Sequence, residues 1–318
     1  FHFDKKAMVS ATPIIPSDPR FEEQGFMLVE VKPSYNYTKA MNIVHTNNVL
    51  EALKVTLPKI KQAQEEPRSI CFFINSTDMI HQLMNKLNII EDSAVFCSTK
   101  SVDKLKRNGF NHAYDNWNNK HKKPYMFFTS RFYSALDMEL DEKPDIVFVT
   151  EPYFAEYTMI DPCTDAVQAI GRFRCGVSTI HHIVNTNESY PIRTKSGIVE
   201  YLKASRDAYK AIKNIYLCAT SIEARNAFKA ALDILPFNKM LKNGRTDYFA
   251  IDNYMDEALV KSSYNNMDSL MELYGKTNHF KAEISDSLFY PLGDKERLTL
   301  ENKNIPIKES RKKLVEIL

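Results

Sequence analysis

The chain has 318 residues, a formal net charge of +2, 44% hydrophobic and 26% charged residues, enough for one large or two ordinary domains that each bury a core. That is the balance of an ordinary globular protein, and neither half of the chain is basic enough for a dedicated nucleic-acid-binding module. No apolar run approaches the ~18–20 residues needed to span a bilayer, so no membrane association is expected.

Taken in chain order, the first residue is Phe1 in place of Met, which reads as a piece of a longer or processed protein. Residues Phe1 to Lys6 lack the charged-then-apolar layout of a signal peptide. The five cysteines (Cys71, Cys97, Cys163, Cys175, Cys218) form no CxxC pair and stand at no metal-ligand spacing with histidine. They read as buried free thiols of a reducing compartment, which places the protein in the cytoplasm. A proline-rich stretch, Pro13 to Pro19, predicts an extended linker, so residues 1–24 stand apart from the rest of the chain.

From Gly25 to about Thr186, apolar runs alternate with amphipathic segments. Candidate strands are Phe26–Val31, Ser69–Asn75, Ser93–Cys97, Tyr125–Thr129, Asp145–Val149 and Thr179–Val184. Several are continuous apolar runs, the pattern of parallel strands buried on both faces. Helical spacing lies between them, at Val49, Leu50, Leu53, Leu57 and Ile60 and again at Ile80, Leu83, Met84 and Leu87. Alternation of this kind implies βαβ units and an α/β domain with a doubly wound, mostly parallel sheet over residues 25–190. After Pro191 the apolar positions repeat at helical intervals (Val199, Leu202, Tyr209, Ile212, Tyr216, then Tyr254 to Tyr274), predicting a mostly helical domain over 191–318. Its end, Lys308 to Leu318, reads as an exposed basic helix.

Three strings carry chemistry: Ser10-Ala11-Thr12, Thr129 through Asp137, and Gln168-Ala169-Ile170-Gly171-Arg172-Phe173-Arg174. Thr129 ends a strong strand, and the last string reads as a short helix leading into a strand, where side chains reach the edge of a sheet. Arginine suits a γ-phosphate, because its planar fork makes two charge-assisted hydrogen bonds and stays charged. Each string alone also has a plain reading: surface arginines paired with local acids, a capping carboxylate at Asp137, a chance triplet at Ser10.

In this order the strings resemble motifs III, V and VI of the superfamily 2 helicases, ATP-driven motors built from two RecA-like domains. The resemblance covers residues 1 to about 190 and implies the second RecA-like domain, preceded by the end of the first. It implies an arginine finger at Arg172, with Arg174 as the second arginine, and nucleotide contacts from Gln168, Gly171 and Asp137. Such a finger is worth roughly three to five orders of magnitude in rate. Thr129 is implied to hold a nucleic-acid phosphate, and Ser10 and Thr12 to couple the two domains. Ile70 to Thr77 resembles motif IV, with Ser76 either gripping the strand or simply capping the next helix.

Two departures matter. Many relatives carry the second arginine three places after the first, where this chain has Cys175; Arg174, one place earlier, points about 100° away on a helix. Ala135 stands where motif V has glycine. ATP and Mg²⁺ are the implied cofactors, held mainly by a first RecA-like domain in cis, and DNA or RNA is the implied partner. The expected activity is that of a helicase; a double-stranded DNA translocase and a non-catalytic RecA-like scaffold are the alternatives. The chain has no phosphate cradle of its own: Gly275-Lys276-Thr277 lacks the glycine five places earlier, where Leu270 stands. Asp256-Glu257-Ala258-Leu259 imitates a DEAD-type box but falls on a predicted helix after motif VI. Basic clusters at Lys104–Arg107, Lys120–Lys123 and Arg311–Lys313, and the aromatics Tyr114 and Trp117, read as solvated faces or packing, with phosphate contact or base stacking as the functional option.

Overall fold

The computed structural model describes residues 7, 9–13, 16–134 and 136–301. The helices are α1 (Arg20–Glu23), α2 (Val49–Gln62), α3 (Thr77–Lys86), α4 (Thr99–Arg107), α5 (Asp165–Gly171), α6 (Lys195–Cys218), α7 (Ile222–Ile234), α8 (Tyr248–Ser263), α9 (Met267–Gly275) and α10 (Asp294–Glu301). The strands are β1 (Lys39–Thr46), β2 (Ile70–Phe73), β3 (Ser93–Phe96), β4 (Ala113–Tyr114), β5 (Tyr125–Phe128), β6 (Asp145–Thr150), β7 (Ile180–Val184), β8 (Leu241–Lys242), β9 (Arg245–Thr246) and β10 (Phe280–Leu288). Eight of them form one sheet in the order β10-β1-β7-β6-β2-β5-β3-β4, and every pairing in it is parallel. This is the α/β doubly wound architecture that the alternation of runs predicts.

The central strands form where the chain offers apolar side chains to both faces. β2, β3, β5 and β6 are buried at every position. Register aligns Phe72 with Phe127, and Phe128 with both Phe73 and Phe96. The rings consequently stack across strands, at centroid distances of 4.6 Å for Phe72–Phe127 and 4.9 Å for Phe96–Phe128. Pairs of this kind add roughly 0.5–1.5 kcal/mol each beyond the area they bury. Helix starts are set by short polar side chains: Asn48, Ser76 and Ser98 accept from backbone N–H groups three residues on.

At the amino ends of the strands, the fully buried carboxylate of Asp145 accepts from Gln64 (2.8 Å), Arg68 (2.8 Å) and the Thr179 hydroxyl (2.6 Å). Burial opposes its charge, but these donors prevail and keep the carboxyl below its ordinary range.

The start of the sheet differs from the sequence reading. The apolar run at Phe26–Val31 forms no strand; Met27, Leu28, Val29 and Val31 are 85%, 66%, 76% and 86% exposed. No strand pairs with it, and β-branched composition without a ladder partner does not make a strand. The sheet instead opens with β1, whose Asn42 and His45 interrupt the buried Met41, Ile43 and Val44 and hide the run.

The expected helical domain over 191–318 also needs correction. By contact, the described chain divides into two units. One contains residues 35–190 and 263–301 with the described residues up to Thr12; the other contains Pro13–Ser34 and Pro191–Ser262. Residues beyond 262 return to the sheet unit because β10 pairs with β1 along its whole length. Asn47 and Asn48 then hold the next segment through Tyr290 and Leu292 carbonyls at 2.8 and 2.7 Å.

In the second unit Ile198, Leu202, Phe237 and Met240 form a small core. There Asp252 accepts from the Ser17 N–H at 3.0 Å, so Ser17 belongs to this unit and is no free linker. The predicted basic helix at Lys308–Leu318, with Arg311–Lys313, lies outside the described residues.

Candidate nucleotide and nucleic-acid site

The string that begins at Thr129 and the string Gln168–Arg174 are joined edge to edge. Met138 and Phe173 form a short parallel bridge, with the Met138 N–H donating to the Arg172 carbonyl (2.8 Å) and the Arg174 N–H to the Met138 carbonyl (3.1 Å). Phe173 is buried there against Phe73, edge to face at 6.2 Å. That anchor fixes the backbone on either side, so Arg172 and Arg174 both converge on Asp137.

The two arginines differ in freedom. Arg172 donates through Nε to the Gln168 carbonyl (3.0 Å) and through Nη1 to the Leu136 carbonyl (3.2 Å), and its side chain is 17% exposed. Arg174 makes a single close ion pair with Asp137, at 2.6 Å, and is 52% exposed. Arg172 therefore ties α5 to the loop at Leu136, whereas Arg174 is held by one exposed carboxylate alone.

Gln168 donates to the Thr12 hydroxyl at 2.8 Å, which brings the string Ser10-Ala11-Thr12 to the string Gln168–Arg174 across 156 residues of sequence. Ser10 Oγ accepts from the Thr12 N–H at 3.1 Å and shapes that turn. No strand forms at Val9, which is 97% exposed. Gly171 ends α5, and an added Cβ there would meet no atom within 4 Å, so the space beside its backbone is open. Ala135 lies outside the described residues.

Thr129 and Ser76 face a separate part of the same sheet. They line a cleft of about 430 Å³ with Lys100, Lys104, Arg107 and Arg131. It lies past the carboxyl ends of β2, β3 and β5, where the loops open and ligands of such sheets bind. The N-termini of α3 and α4 border it, and their N–H groups favour negative charge. One carboxylate, Asp78, also lines it and is neutralised by Lys104 at 2.7 Å. Lys100 and Arg131 take part in no ion pair among the described residues. Thr129 is almost fully buried and donates to the Phe96 carbonyl at 3.3 Å, while Ser76 caps α3. Both hydroxyls thus have structural work that a phosphate would share. Beside the cleft, burial pushes the Cys97 thiol up to about 12, with Asp115 adding and Arg131 opposing, so it stays protonated and unreactive.

The remaining candidates are absorbed by structure. Trp117 packs on Phe96 (5.0 Å) and Phe128 (5.9 Å), and Tyr114 stacks on His121 at 3.7 Å. Lys122 pairs with Glu142 at 3.0 Å, and Lys123 donates to the Glu91 carbonyl at 3.1 Å. Cys71 and Cys97 are buried, but Cys163 is half-buried and Cys175 and Cys218 are exposed, which corrects the expectation that all five cysteines are buried. The DEAD-like string lies within α8, and Gly275-Lys276 ends α9, so neither forms a phosphate cradle. Among the described residues no helix is long and apolar enough to cross a membrane. Arg131 and Lys100 escape notice in the sequence because no short pattern announces that their loops meet. Comparison with protein-family models gives no match, and comparison with curated proteins gives none.

Proposed function

We propose that the chain is the second RecA-like half of an ATP-dependent superfamily 2 helicase or translocase, with ATP and Mg²⁺ bound mainly by a P-loop-bearing RecA-like domain in cis. The observation that supports this best is the junction of Asp137, Arg172 and Arg174, with Gln168 bonded to Thr12. The contact between three strings scattered over the chain supports the reading, which has them act together. Arg174 is the better candidate for the finger, because Arg172 is committed to the carbonyls of Gln168 and Leu136. The cleft at Thr129 and Ser76 would hold DNA or RNA phosphates.

On this reading the 318-residue chain alone has no ATPase activity, and robust nucleic-acid-stimulated hydrolysis by it would refute the proposal. Joined to its P-loop domain, the protein should lose turnover by about three orders of magnitude on Arg174→Ala. The coding sequence upstream of Ser10 supplies the quickest check: a GxxxxGK[ST] string followed by a DExx box is expected there. The tethering of Arg172 favours one alternative, a RecA-like binding scaffold without ATP chemistry, and absence of both upstream strings would select it.

A further inference from the structure

Tyr157 stands in the loop between β6 and α5, 59% exposed, and its side chain lines the same cleft as Lys100, Arg107 and Arg131. The other aromatics near these strand ends are engaged: Trp117 with Phe96 and Phe128, Phe132 with Phe96 and Phe128, Tyr114 with His121. Phe132 and Tyr133 are also buried. Tyr157 enters no ring stack among the described residues and has more than half of its surface in solvent. An exposed ring beside fixed cations is the pairing that single-stranded nucleic acids require, phosphates on the charges and an unpaired base on the ring face. A duplex offers the same phosphates but keeps its bases stacked on each other, out of reach of a side chain at the rim.

We infer that Tyr157 is the base-stacking residue of this cleft and selects single-stranded nucleic acid over duplex. The inference rests on the reading of the cleft as a phosphate site and deepens it. Both oligodeoxynucleotides and oligoribonucleotides present this chemistry, since neither the ring nor the cations distinguish the sugar.

The test is fluorescence anisotropy of the 318-residue chain with labelled 12-mers of single-stranded DNA, single-stranded RNA and duplex DNA at one fixed salt concentration. A parallel set carries 2-aminopurine to report stacking. The variants are Tyr157→Ala, Tyr157→Phe and the double change of Lys100 and Arg131 to Ala. Tyr157→Ala should weaken single-strand binding at least fivefold, leave duplex binding unchanged and abolish the quenching of 2-aminopurine. Tyr157→Phe should retain both affinity and quenching, because the face of the ring does the work. The double change should weaken every arm. Comparing the two single-stranded arms shows which sugar the site prefers.

Three results overturn the inference. If Tyr157→Ala binds as wild type while the double change loses affinity, the cleft holds phosphate but Tyr157 does not stack. If Tyr157→Ala weakens duplex and single strand equally, no unpaired base is being selected. If wild type binds no oligonucleotide, both the inference and the reading of the cleft fall. Far-UV circular dichroism and melting of each variant separate a binding defect from misfolding, which a substitution at this exposed side chain should not cause.

Discussion

At the scale of single residues, Arg172 and Arg174 have divided their duties. Arg172 fastens the end of α5 to the loop after Thr129 by charge-assisted bonds to two carbonyls, Gln168 and Leu136. Those carbonyls are satisfied by a group removed from solvent, and hydrogen bonds involving a charged group contribute about 1.5–3 kcal/mol each. Arg174 makes an exposed ion pair, a class worth about 0–1 kcal/mol. In urea denaturation of the 318-residue chain, Arg172→Ala should therefore lower stability by about 1–3 kcal/mol, and Arg174→Ala by less than about 1 kcal/mol. The midpoints should move at constant denaturant slope. The reverse ranking would mean that Arg174 is the structural member and Arg172 the free one. The identities of the pair are legible in the string, but their ranking is not. The two positions differ only in what Leu136 and Gln168 present to them.

At the scale of elements, one buried polar chain ties β6, β7 and the loop before α5 to the return of the polypeptide after residue 262. His182 on β7 lies between the Thr150 hydroxyl on β6 (3.0 Å) and the Tyr274 hydroxyl on α9 (2.8 Å). Tyr264 donates to the Ile160 carbonyl (2.7 Å) in the loop that leads to α5. His182 has no exposed surface, and burial lowers its pKa to about 3. The folded protein therefore binds fewer protons than the unfolded chain between about pH 3 and 6.5, and stability falls as pH drops through that window. His182→Gln should remove this component. Its deficit relative to wild type should be largest above about pH 6.5 and shrink progressively towards about pH 4, as read by denaturation at several pH values. A deficit independent of pH would show that the imidazole is not held neutral. The role of α9 in this chain is invisible in the sequence. Its periodicity announces a helix at Tyr274, but not which strand that tyrosine meets.

At the scale of the whole molecule, the electrostatics are local. A net charge of +2 gives no broad attraction for nucleic acid, so on the proposed reading any binding would come from the cleft. Lys104 is neutralised there by Asp78, which leaves Lys100, Arg107 and Arg131 as the cations that, on the proposed reading, would face phosphates. Each phosphate neutralised on a single strand contributes about 0.7 to the salt dependence, so log Kobs against log[salt] should have a slope of about −2. A slope steeper than about −5 in an anisotropy titration would place most of the contacts elsewhere.

Much of this protein is set by its sequence alone. Runs such as Ile70–Phe73 and Asp145–Thr150 can satisfy their surroundings only inside a parallel sheet, and Asn48, Ser76 and Ser98 mark helix starts by chemistry within a single turn. These are local properties, complete within a few residues. Tertiary structure decided the rest: that β1 and β10 close the sheet, that Phe26–Val31 stays outside it, that Thr12 meets Gln168, and that Tyr157 stands beside Lys100 and Arg131. An edge strand exists only once its neighbour is in place, and a site built from loops exists only once the strands beneath them are ordered side by side. Neither condition is written in the spacing of any one segment.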